Sequence, residues 1–388
     1  MENTISVFSF PTRIVFGVGA LTKLPEELGR LGLSRPLLVT DQGVVKSGLA
    51  NRVADEASRR GIVMPVFDGV NPNPTEQNVV DGLGRYNQEK CDGIVGLGGG
   101  SPLDAAKAIR LRVTHKLPLE EYDDLLDGGN KISGSVPPFI AIATTAGTGS
   151  DVSRSTVITL KATDRKTVIF SPYLIPSVAI ADPGLTVSMP PGVTAGTGMD
   201  ALTHNMEAYL SRGYHPMCDA IALEGTRLAI RNLVKAVQNG SDLAARTGMM
   251  MSAIMGAVAF QKGLGVVHSL AHPLSSIAGL HHGTANGILL PHALNFNRST
   301  SEERIRDLAA AMDLDVGKLS PADAATATIE RIQRLLIEVG VAGRLGDFGV
   351  KREIIPAMAK KAMQDGCHLL NPRPCTEADM IMLYEQAL

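Results

Sequence analysis

The sequence contains no tryptophan, only 4% of its residues are aromatic, and its four cysteines include no CxxC pair. Scattered cysteines argue against a disulfide framework and against a zinc site built on cysteine, and they are typical of a reducing compartment, so we expect a cytoplasmic protein. The formal net charge is only −2, without an excess of basic residues. This balance argues against a nucleic-acid partner and against binding to an anionic membrane surface.

Long apolar runs are also missing. The longest, residues 249–260, is shorter than the roughly 20 residues that a membrane-spanning helix needs, and we predict a buried core helix there. The first residues, MENT, lack the basic and apolar regions of a secretion signal. We therefore expect neither a membrane span nor export.

The length and the patterning predict two domains, because 388 residues exceed what one core usually accommodates. In the first half, apolar strand-like runs alternate with helical stretches, a pattern typical of a parallel sheet covered on both faces. Strand signals fade after the turn Asp182-Pro183-Gly184, and helical spacing takes over. We predict an α/β dinucleotide domain over residues 1–183 and an all-helical domain over residues 184–388. The predicted strands are 36–40, 62–67, 93–97, 139–144 and 177–180, and the predicted helices include 75–87, 102–111, 201–210, 218–237, 243–260, 302–312 and 321–339.

A glycine-rich loop, Gly98-Gly99-Gly100-Ser101, joins the strand at 93–97 to the next predicted helix. Glycines let backbone N–H groups approach a phosphate, and the start of a helix adds positive potential. The loop therefore predicts a pyrophosphate site, with a tight structural turn as the alternative, and it differs from the usual GxGxxG fingerprint. The segment Gly17-Val18-Gly19 is a weaker candidate, for which we predict a hairpin or strand-end turn.

A second polar loop, TTAGTGSD at residues 144–151, also follows an apolar strand. Because ligands of open α/β sheets bind outside the carboxyl ends of the strands, the two loops are placed to flank one cofactor. Asp41 ends a third strand. A carboxylate there accepts hydrogen bonds from a ribose diol and repels a 2′-phosphate, which favours NAD over NADP. Aspartate is common after strands, so this signal is weak by itself.

Histidines are concentrated in the second half, where seven of the nine lie between residues 204 and 292. Asp200 and His204 are four residues apart and project from one helix face, and the segment HSLAH (268–272) repeats this spacing. Imidazoles with one carboxylate suit Zn²⁺ or Fe²⁺ better than Mg²⁺ or Ca²⁺. A lone histidine is more often a core residue, but this clustering favours a metal site. Spacing alone leaves open which histidine of HSLAH, and which of His281 and His282, is a ligand. His292 follows further along.

Residues 263–297 contain no lysine, arginine, aspartate or glutamate. A pocket lined by this stretch alone is neutral and largely apolar, which suits a small uncharged alcohol or aldehyde. Arg154 or Arg373 would change this character if the fold brought either one into the pocket.

Several long motifs follow one another in a fixed order. They are PNPT (72–75), GGGSPLDAAKAI (98–109), TTAGTGSD (144–151), GMDALTHNMEAY (198–209), GLGVVHSLAHPL (263–274) and HGTANGILLPHALNFN (282–297). Through these motifs the chain resembles, over nearly its whole length, the iron-containing (group III) alcohol dehydrogenases, the family of lactaldehyde reductase and 1,3-propanediol dehydrogenase. The resemblance implies the dehydroquinate synthase-like fold, an active site in the cleft between the two domains, and a homodimer or larger homo-oligomer.

The resemblance also implies a role for individual residues. One metal ion, Fe²⁺ or alternatively Zn²⁺, would be held by Asp200, His204, His268 and His282. His272 would lie beside the nicotinamide and relay a proton while hydride moves between NAD(H) and a small primary alcohol or diol and its aldehyde. The implied NAD-binding residues are Asp41, Asn73, Gly99, Gly100, Ser101, Thr144, Thr145, Thr148, Lys166 and Leu185.

Two departures from the family pattern leave the substrate open. His281 stands where many members have proline, and residues 273–277 lack the family's glycine pair and nearby aromatic residue.

Three other functions compete with this one. A transhydrogenase that shuttles hydride between a hydroxy acid and an oxo acid would keep its NAD bound. A dehydroquinate synthase-like lyase would need several lysines or arginines near the metal, which residues 263–297 do not provide. A non-enzymatic metal or dinucleotide sensor would need a docking element, and the sequence shows none.

Overall fold

The computed structural model describes residue 10 and residues 13–161 and 165–388. Most of the first residues, for which the sequence predicts no secretion signal, lie outside the described part. The contacts divide the chain into an α/β unit, residues 13–145 with Gly149–Ser188, and a helical unit, Met189–Leu388 with Ala146–Thr148. The domain limits 1–183 and 184–388 stay a prediction, since the contacts change at Ser188 and assign a short loop of the first half to the helical unit.

The α/β unit contains a parallel sheet and a hairpin. Its strands are β1 (Arg13–Phe16), β2 (Leu37–Val39), β3 (Val66–Phe67), β4 (Ile94–Gly98), β5 (Phe139–Ala143), β6 (Ser155–Leu160), β7 (Arg165–Phe170) and β8 (Val178–Ala181). Six of them form the sheet in the order β1-β8-β5-β4-β2-β3 with every pair parallel, and β6 and β7 form an antiparallel pair. The predicted α/β class with a parallel sheet is confirmed.

Both faces of the sheet are covered by apolar residues. Along β5, Phe139 and Ala141 belong to one hydrophobic cluster, and Ile140 and Ile142 belong to the other. Successive side chains of a strand point to opposite faces, so a strand buried on both faces needs apolar residues at every position. This explains why the central strands are continuous apolar runs in the sequence.

Five helices of the α/β unit connect these strands. They are α1 (Leu24–Arg30), α2 (Gln42–Lys46), α3 (Leu49–Ser58), α4 (Glu76–Gln88) and α5 (Gly100–Thr114). The strand predicted at 62–67 is paired only over β3, which lies at the edge of the sheet. The hairpin β6–β7 was not predicted.

The second unit is helical, as the spacing of apolar residues in the second half of the sequence predicts. Its helices are α6 (Pro191–Leu210), α7 (Pro216–Gln238), α8 (Leu243–Ala259), α9 (Val266–Ile277), α10 (His282–Ala311), α11 (Pro321–Glu338), α12 (Ile355–Ala362) and α13 (Glu377–Ala387). The helices predicted at 201–210 and 302–312 are the carboxyl-terminal parts of α6 and α10. Helix α10 is kinked at Ser301, where φ is −143°.

One segment in the described part of the chain, Leu243–Lys262, is long and apolar enough to cross a membrane by composition alone, but 61% of its most apolar window is buried within the protein. The segment comprises α8 and the turn after it, and α8 packs against α6 and α7. It is therefore a core helix of the helical unit, as predicted for residues 249–260.

Candidate active site

Three helices of the helical unit bring the four predicted metal ligands together. Asp200 and His204 project from α6 one turn apart, His268 lies on α9, and His282 is the first residue of α10. From Asp200 Oδ1, the distances are 3.8 Å to His204 Nδ1, 3.7 Å to His268 Nε2 and 3.6 Å to His282 Nε2. Ligand atoms about 2.1 Å from a tetrahedral cation lie roughly 3.4 Å from one another. Asp200, His204 and His268 thus form a group that could hold one cation, and His282 reaches the same oxygen of Asp200.

The chemistry of these side chains also fits a metal ion. Asp200, His204 and His268 are buried, and their ligand atoms lie within 4.8 Å of one another. In the described structure, His204 Nδ1 is buried without a hydrogen-bond partner, an arrangement that costs free energy unless something else occupies the lone pair. Coordination would satisfy that nitrogen, and Fe²⁺ and Zn²⁺ both accept imidazole and carboxylate ligands.

Two glycines allow α6 and α10 to approach closely enough to form the cluster. A Cβ atom on Gly283 would lie 1.9 Å from the carbonyl oxygen of Gly196 and 3.1 Å from Cβ of Asp200. The first turn of α10 therefore packs directly on the backbone of α6. This contact places His282, the residue before Gly283, beside Asp200.

The charges in the cluster shift the pKa values of its members in different directions. Burial lowers the pKa of His204 to about 4. Burial also acts to lower the pKa of His268, but the carboxylates of Asp200 and Glu207 raise it to about 9. Burial acts to raise the pKa of Asp200, yet the neighbouring histidines hold it well below its usual value. A carboxylate that stays ionised and histidines that cluster around it are what a cation requires, since metal binding displaces the ligand protons.

His272, the predicted proton relay, lies one turn after His268 on α9, and its ring stacks on that of His282 with centroids 5.2 Å apart. Its Nδ1 lies 2.7 Å from Asp365 Oδ2. The same carboxylate accepts hydrogen bonds from Ser269 Oγ at 2.8 Å and from the Cys367 N–H at 2.8 Å. Burial acts to raise the pKa of Asp365, but the charge of His272 holds it well below the usual range. Asp365 thus fixes the orientation of His272.

Sequence reasoning missed three polar residues of the site. Glu207 Oε2 lies 2.6 Å from His268 Nδ1, and Asn286 Nδ2 donates to Asp200 Oδ1 at 2.8 Å. With Asp365, two carboxylates from outside residues 263–297 reach the histidines, so that stretch does not by itself define the charge of the site. Glu207 follows His204 by three residues on α6, a spacing that could have indicated it. No local pattern indicates Asp365, which is 93 residues from His272.

Two other histidines of the tract, His281 and His292, have different surroundings. His281 is exposed, and its ring packs against Gly196, whose Cβ position lies 2.7 Å from ring atoms of His281. His292 lies ten residues beyond His282 on α10, about 15 Å along the helix axis. Arg373, which was considered above as a charge near the pocket, packs on the ring of Phe296, with its Cζ atom 3.9 Å from the ring centroid. Of the choices that spacing left open, the structure brings His268 and His282 next to Asp200.

The predicted NAD-binding residues of the α/β unit collect at one edge of its sheet. Asp41 follows β2, Gly99 follows β4, Thr144 follows β5, and Leu185 ends a short turn after β8. Because these four strands are parallel, their carboxyl ends share one edge, where ligands of such sheets bind. Thr148 differs from the other nine, since its contacts assign it to the helical unit.

The glycine-rich loop depends on glycine at its first position. Gly98 has a φ of 148°, and a Cβ there would lie 2.6 Å from Pro102 Cγ. The next residue, Gly99, is the N-cap of α5 and provides no side-chain cap. The Thr144 N–H donates to the carbonyl of Gly98 at 3.0 Å, which joins the two polar loops. The start of α5 therefore has no side-chain cap from Gly99, and the pyrophosphate site at this helix terminus stays a prediction.

Asn73 contacts this loop, and Lys166 lies on a strand whose partner strand contacts Pro74, the residue after Asn73. The Asn73 N–H donates to Ser101 Oγ at 3.3 Å. Lys166 lies on β7, opposite Thr159 on β6, and the Thr159 N–H donates to the carbonyl of Pro74 at 2.9 Å. Burial lowers the pKa of Lys166 to about 8.

A buried lysine, also not predicted, ties α5 to the second polar loop. Lys107 Nζ donates to Ser150 Oγ at 3.0 Å, to the carbonyl and Oγ of Ser153 at 3.0 Å each, and to the carbonyl of Ser155 at 2.8 Å. Burial lowers its pKa to about 8. Asp104, on the same helix, accepts from Ser150 Oγ at 2.6 Å. These contacts fix the end of the second polar loop against α5.

A parallel sheet with two polar loops at its carboxyl edge, and a helical unit with a buried aspartate–histidine cluster, are features expected of a dehydrogenase that uses a metal ion and a dinucleotide. Comparison with known proteins narrows this class. The family model for iron-containing alcohol dehydrogenase matches residues 11–183, and the model for the carboxyl-terminal part of that family matches residues 194–388. The chain belongs to the iron-containing alcohol dehydrogenase family and is an oxidoreductase of the alcohol dehydrogenase type.

Individual relatives agree with this family. The chain is 40% identical to 1,3-propanediol dehydrogenase of Klebsiella pneumoniae over 375 residues, 96% of each chain. It is 37% identical to lactaldehyde reductase of Escherichia coli (strain K12), over 96% of this chain and 97% of that one. A crystal structure of a 1,3-propanediol oxidoreductase superposes with a TM-score of 0.95 at 40% identity, covering 99% of this chain and 100% of the other.

Proposed function

We propose that this protein transfers a hydride between NAD(H) and a small primary alcohol or diol and its aldehyde, with one divalent metal ion, Fe²⁺ or Zn²⁺, held by Asp200, His204, His268 and His282. The observation that supports this most strongly is the convergence of three histidine nitrogens within 3.8 Å of one buried carboxylate oxygen. The names of the relatives, a diol dehydrogenase and an aldehyde reductase, support the substrate class.

Each group has a defined part in this proposal. When bound, the metal ion supplies Lewis acidity toward the substrate oxygen and NAD supplies the hydride chemistry. His272 accepts the hydroxyl proton of the alcohol, or returns it to the aldehyde, at Nε2. Asp365 holds Nδ1 of the same ring at 2.7 Å and so keeps the imidazole oriented. Asp200 remains ionised in the buried cluster and offsets the charge of the cation.

The cofactor is proposed to bind at the carboxyl edge of the sheet. Backbone N–H groups of the glycine-rich loop and the start of α5 would hold the pyrophosphate. The remaining contacts are proposed for Asn73, Gly99, Gly100, Ser101, Thr144, Thr145, Thr148, Lys166 and Leu185.

Asp41 is proposed to select NAD over NADP, and the structure suggests a variant that removes its charge without removing its structural role. Its Oδ1 accepts a hydrogen bond from the Val44 N–H at 2.9 Å and caps α2, a role that asparagine also performs. Asp41→Asn therefore removes the charge and keeps the cap. We expect kcat/KM for NADP to rise about tenfold or more, because the variant lacks the repulsion of the 2′-phosphate, with a smaller change for NAD. Steady-state kinetics with both cofactors measures this, and an unchanged NADP/NAD ratio would remove Asp41 from cofactor selection.

The substrate class is tested by following NADH formation with a panel of short primary alcohols, diols, secondary alcohols and hydroxy acids. We expect primary alcohols and diols to be oxidised. Activity confined to a hydroxy acid paired with an oxo acid, together with NAD that stays bound through purification, would instead indicate the transhydrogenase.

We further propose a cytoplasmic, homo-oligomeric enzyme. None of the four cysteines, all of which lie in the described part of the chain, forms a disulfide, which fits a reducing compartment. The oligomer rests on the family resemblance alone, and light scattering of the purified protein measures it.

A further inference from the structure

Helix α9, which contains His268 and His272, begins without a capping side chain of its own. Its N-cap residue is Gly265. Side chains from distant segments accept hydrogen bonds from its first N–H groups instead: Asn371 Oδ1 from Val266 at 3.1 Å, and Glu207 Oε1 from Val267 at 2.7 Å. Gly265 makes room for them, because a Cβ there would lie 2.7 Å from Glu207 Oε1 and 2.9 Å from Asn371 Oδ1. The carboxylate of Glu207 therefore lies at the amino-terminal end of α9.

The second carboxylate oxygen of Glu207 contacts His268. Oε2 lies 2.6 Å from Nδ1 of the ring and 3.4 Å from the backbone nitrogen of the same residue. Both side chains are almost fully buried, with 5% and 2% of their surface exposed. With Glu207 as a carboxylate, which only accepts hydrogen bonds, Nδ1 of His268 is the atom that holds the hydrogen.

The position of that hydrogen determines what the other ring nitrogen can do. In a neutral imidazole with hydrogen on Nδ1, the other nitrogen, Nε2, carries a lone pair that can accept a hydrogen bond or bind a metal. Nε2 of His268 lies 3.7 Å from Asp200 Oδ1, among the proposed metal ligands. The contact with Glu207 thus selects the tautomer that can bind a metal through Nε2 and fixes the direction of the lone pair.

We propose that Glu207 is a positioning residue of the metal centre, which orients His268 and sets its tautomer while it caps α9. This inference rests on the proposed metal site. Glu207 is not a ligand, because Oε1 is occupied by the Val267 N–H and Oε2 by His268. Carboxylates that accept a hydrogen bond from a metal-binding histidine generally raise metal affinity in this way.

The test is Glu207→Gln, which keeps the shape of the side chain. The amide has one oxygen, so it can accept from the Val267 N–H or from His268 Nδ1–H, but not from both. If its NH₂ group faces the ring, the hydrogen of His268 moves to Nε2 and the lone pair is lost. We expect the affinity of the metal-stripped protein for Zn²⁺, measured by chelator competition, to fall about 10- to 100-fold. We also expect the visible absorption bands of the Co²⁺-loaded protein to change.

A matched control separates this effect from loss of a helix cap. Asp242 caps α8 in the same unit by accepting from the Ala245 N–H at 2.9 Å, and its α8 cap contact involves no histidine. Asp242→Ala should lower the melting temperature and leave zinc affinity within about twofold. Equal losses of zinc affinity in the two variants would show that Glu207 acts only through stability and would overturn the proposal.

Two further outcomes distinguish this inference from the metal site itself. Wild-type protein that binds no zinc would refute the metal site and the inference together. Wild-type protein that binds zinc as tightly as Glu207→Gln would refute the inference alone. If the variant does not fold, histidine-selective ¹⁵N spectra of the zinc-loaded wild type test the tautomer of His268 instead. The signal of His268 is identified as the one that is missing from the spectrum of His268→Gln. We expect metal at Nε2 and hydrogen at Nδ1, and the reverse arrangement would overturn the proposal.

Discussion

Asp200→Asn is expected to lose the bound metal ion and to lower turnover by about a thousandfold or more. Asp200 contributes the one carboxylate of the proposed ligand set, and its Oδ1 is the atom around which the nitrogens of His204, His268 and His282 converge. Asparagine preserves the size of the side chain but removes its charge from a buried position. The Lewis acidity of a metal ion contributes several kcal/mol to catalysis, and each 1.36 kcal/mol is about tenfold in rate. Elemental analysis and NADH formation measure the two losses.

The matched control is Asp307→Asn. Asp307 lies on α10 in the same unit and accepts a hydrogen bond from the hydroxyl of Tyr209, outside the histidine cluster. This variant should keep its metal and its turnover. An Asp200→Asn protein that retained both would show that the cluster does not hold the catalytic cation.

His272→Gln is expected to lower turnover by about a hundredfold, the smaller end of what general acid–base catalysis contributes. Metal content should not change, because Nδ1 of His272 is engaged with Asp365 rather than with Asp200. The combination of intact metal and slow turnover separates a proton relay from a ligand. Elemental analysis and steady-state kinetics measure both.

His292→Gln supplies the comparison for this variant, since His292 belongs to the same histidine-rich tract but lies well along α10. It should behave as wild type. Unchanged kinetics in His272→Gln would remove His272 from the mechanism, and loss of metal would instead make it a ligand.

The fold class was predictable because the central strands are buried on both faces. β4 and β5 are fully buried along their lengths, so their sequences are continuous apolar runs that no surface helix would show. The hairpin escaped prediction although β6 alternates half-buried and buried residues. The sequence STVITL does not show this alternation, because the apolar residues Val157 and Ile158 are adjacent. The charged start of β7, Arg165-Lys166, also obscured its partner.

The amino-terminal parts of two long helices were missed for a different reason. The first half of α6 contains three glycines, Gly192, Gly196 and Gly198, and the start of α10 contains Gly283 and Gly287. Glycine lowers intrinsic helix propensity. Here the same residues make the helix packing possible, as the contact of Gly283 with the backbone of Gly196 shows. Tertiary packing therefore overrides the local signal.

The metal cluster was only partly predictable from the residues. The four-residue spacing of Asp200 and His204 predicts a shared helix face, and in the structure both side chains project from α6 one turn apart. Spacing could not distinguish His281 from His282, because which of two adjacent side chains points inward depends on where α10 begins against α6. Asp365 could not be predicted, since only the fold brings it to His272.

In the proposed mechanism, hydride transfer requires one divalent cation among Asp200, His204, His268 and His282. The most direct test strips the protein with a chelator, adds Fe²⁺ or Zn²⁺ in steps without oxygen, and follows NADH formation from a primary alcohol as a function of bound metal. The stripped protein should be inactive, and its rate should rise in proportion to bound metal and stop rising at one ion per chain. Equal rates in the stripped and loaded protein would contradict this mechanism.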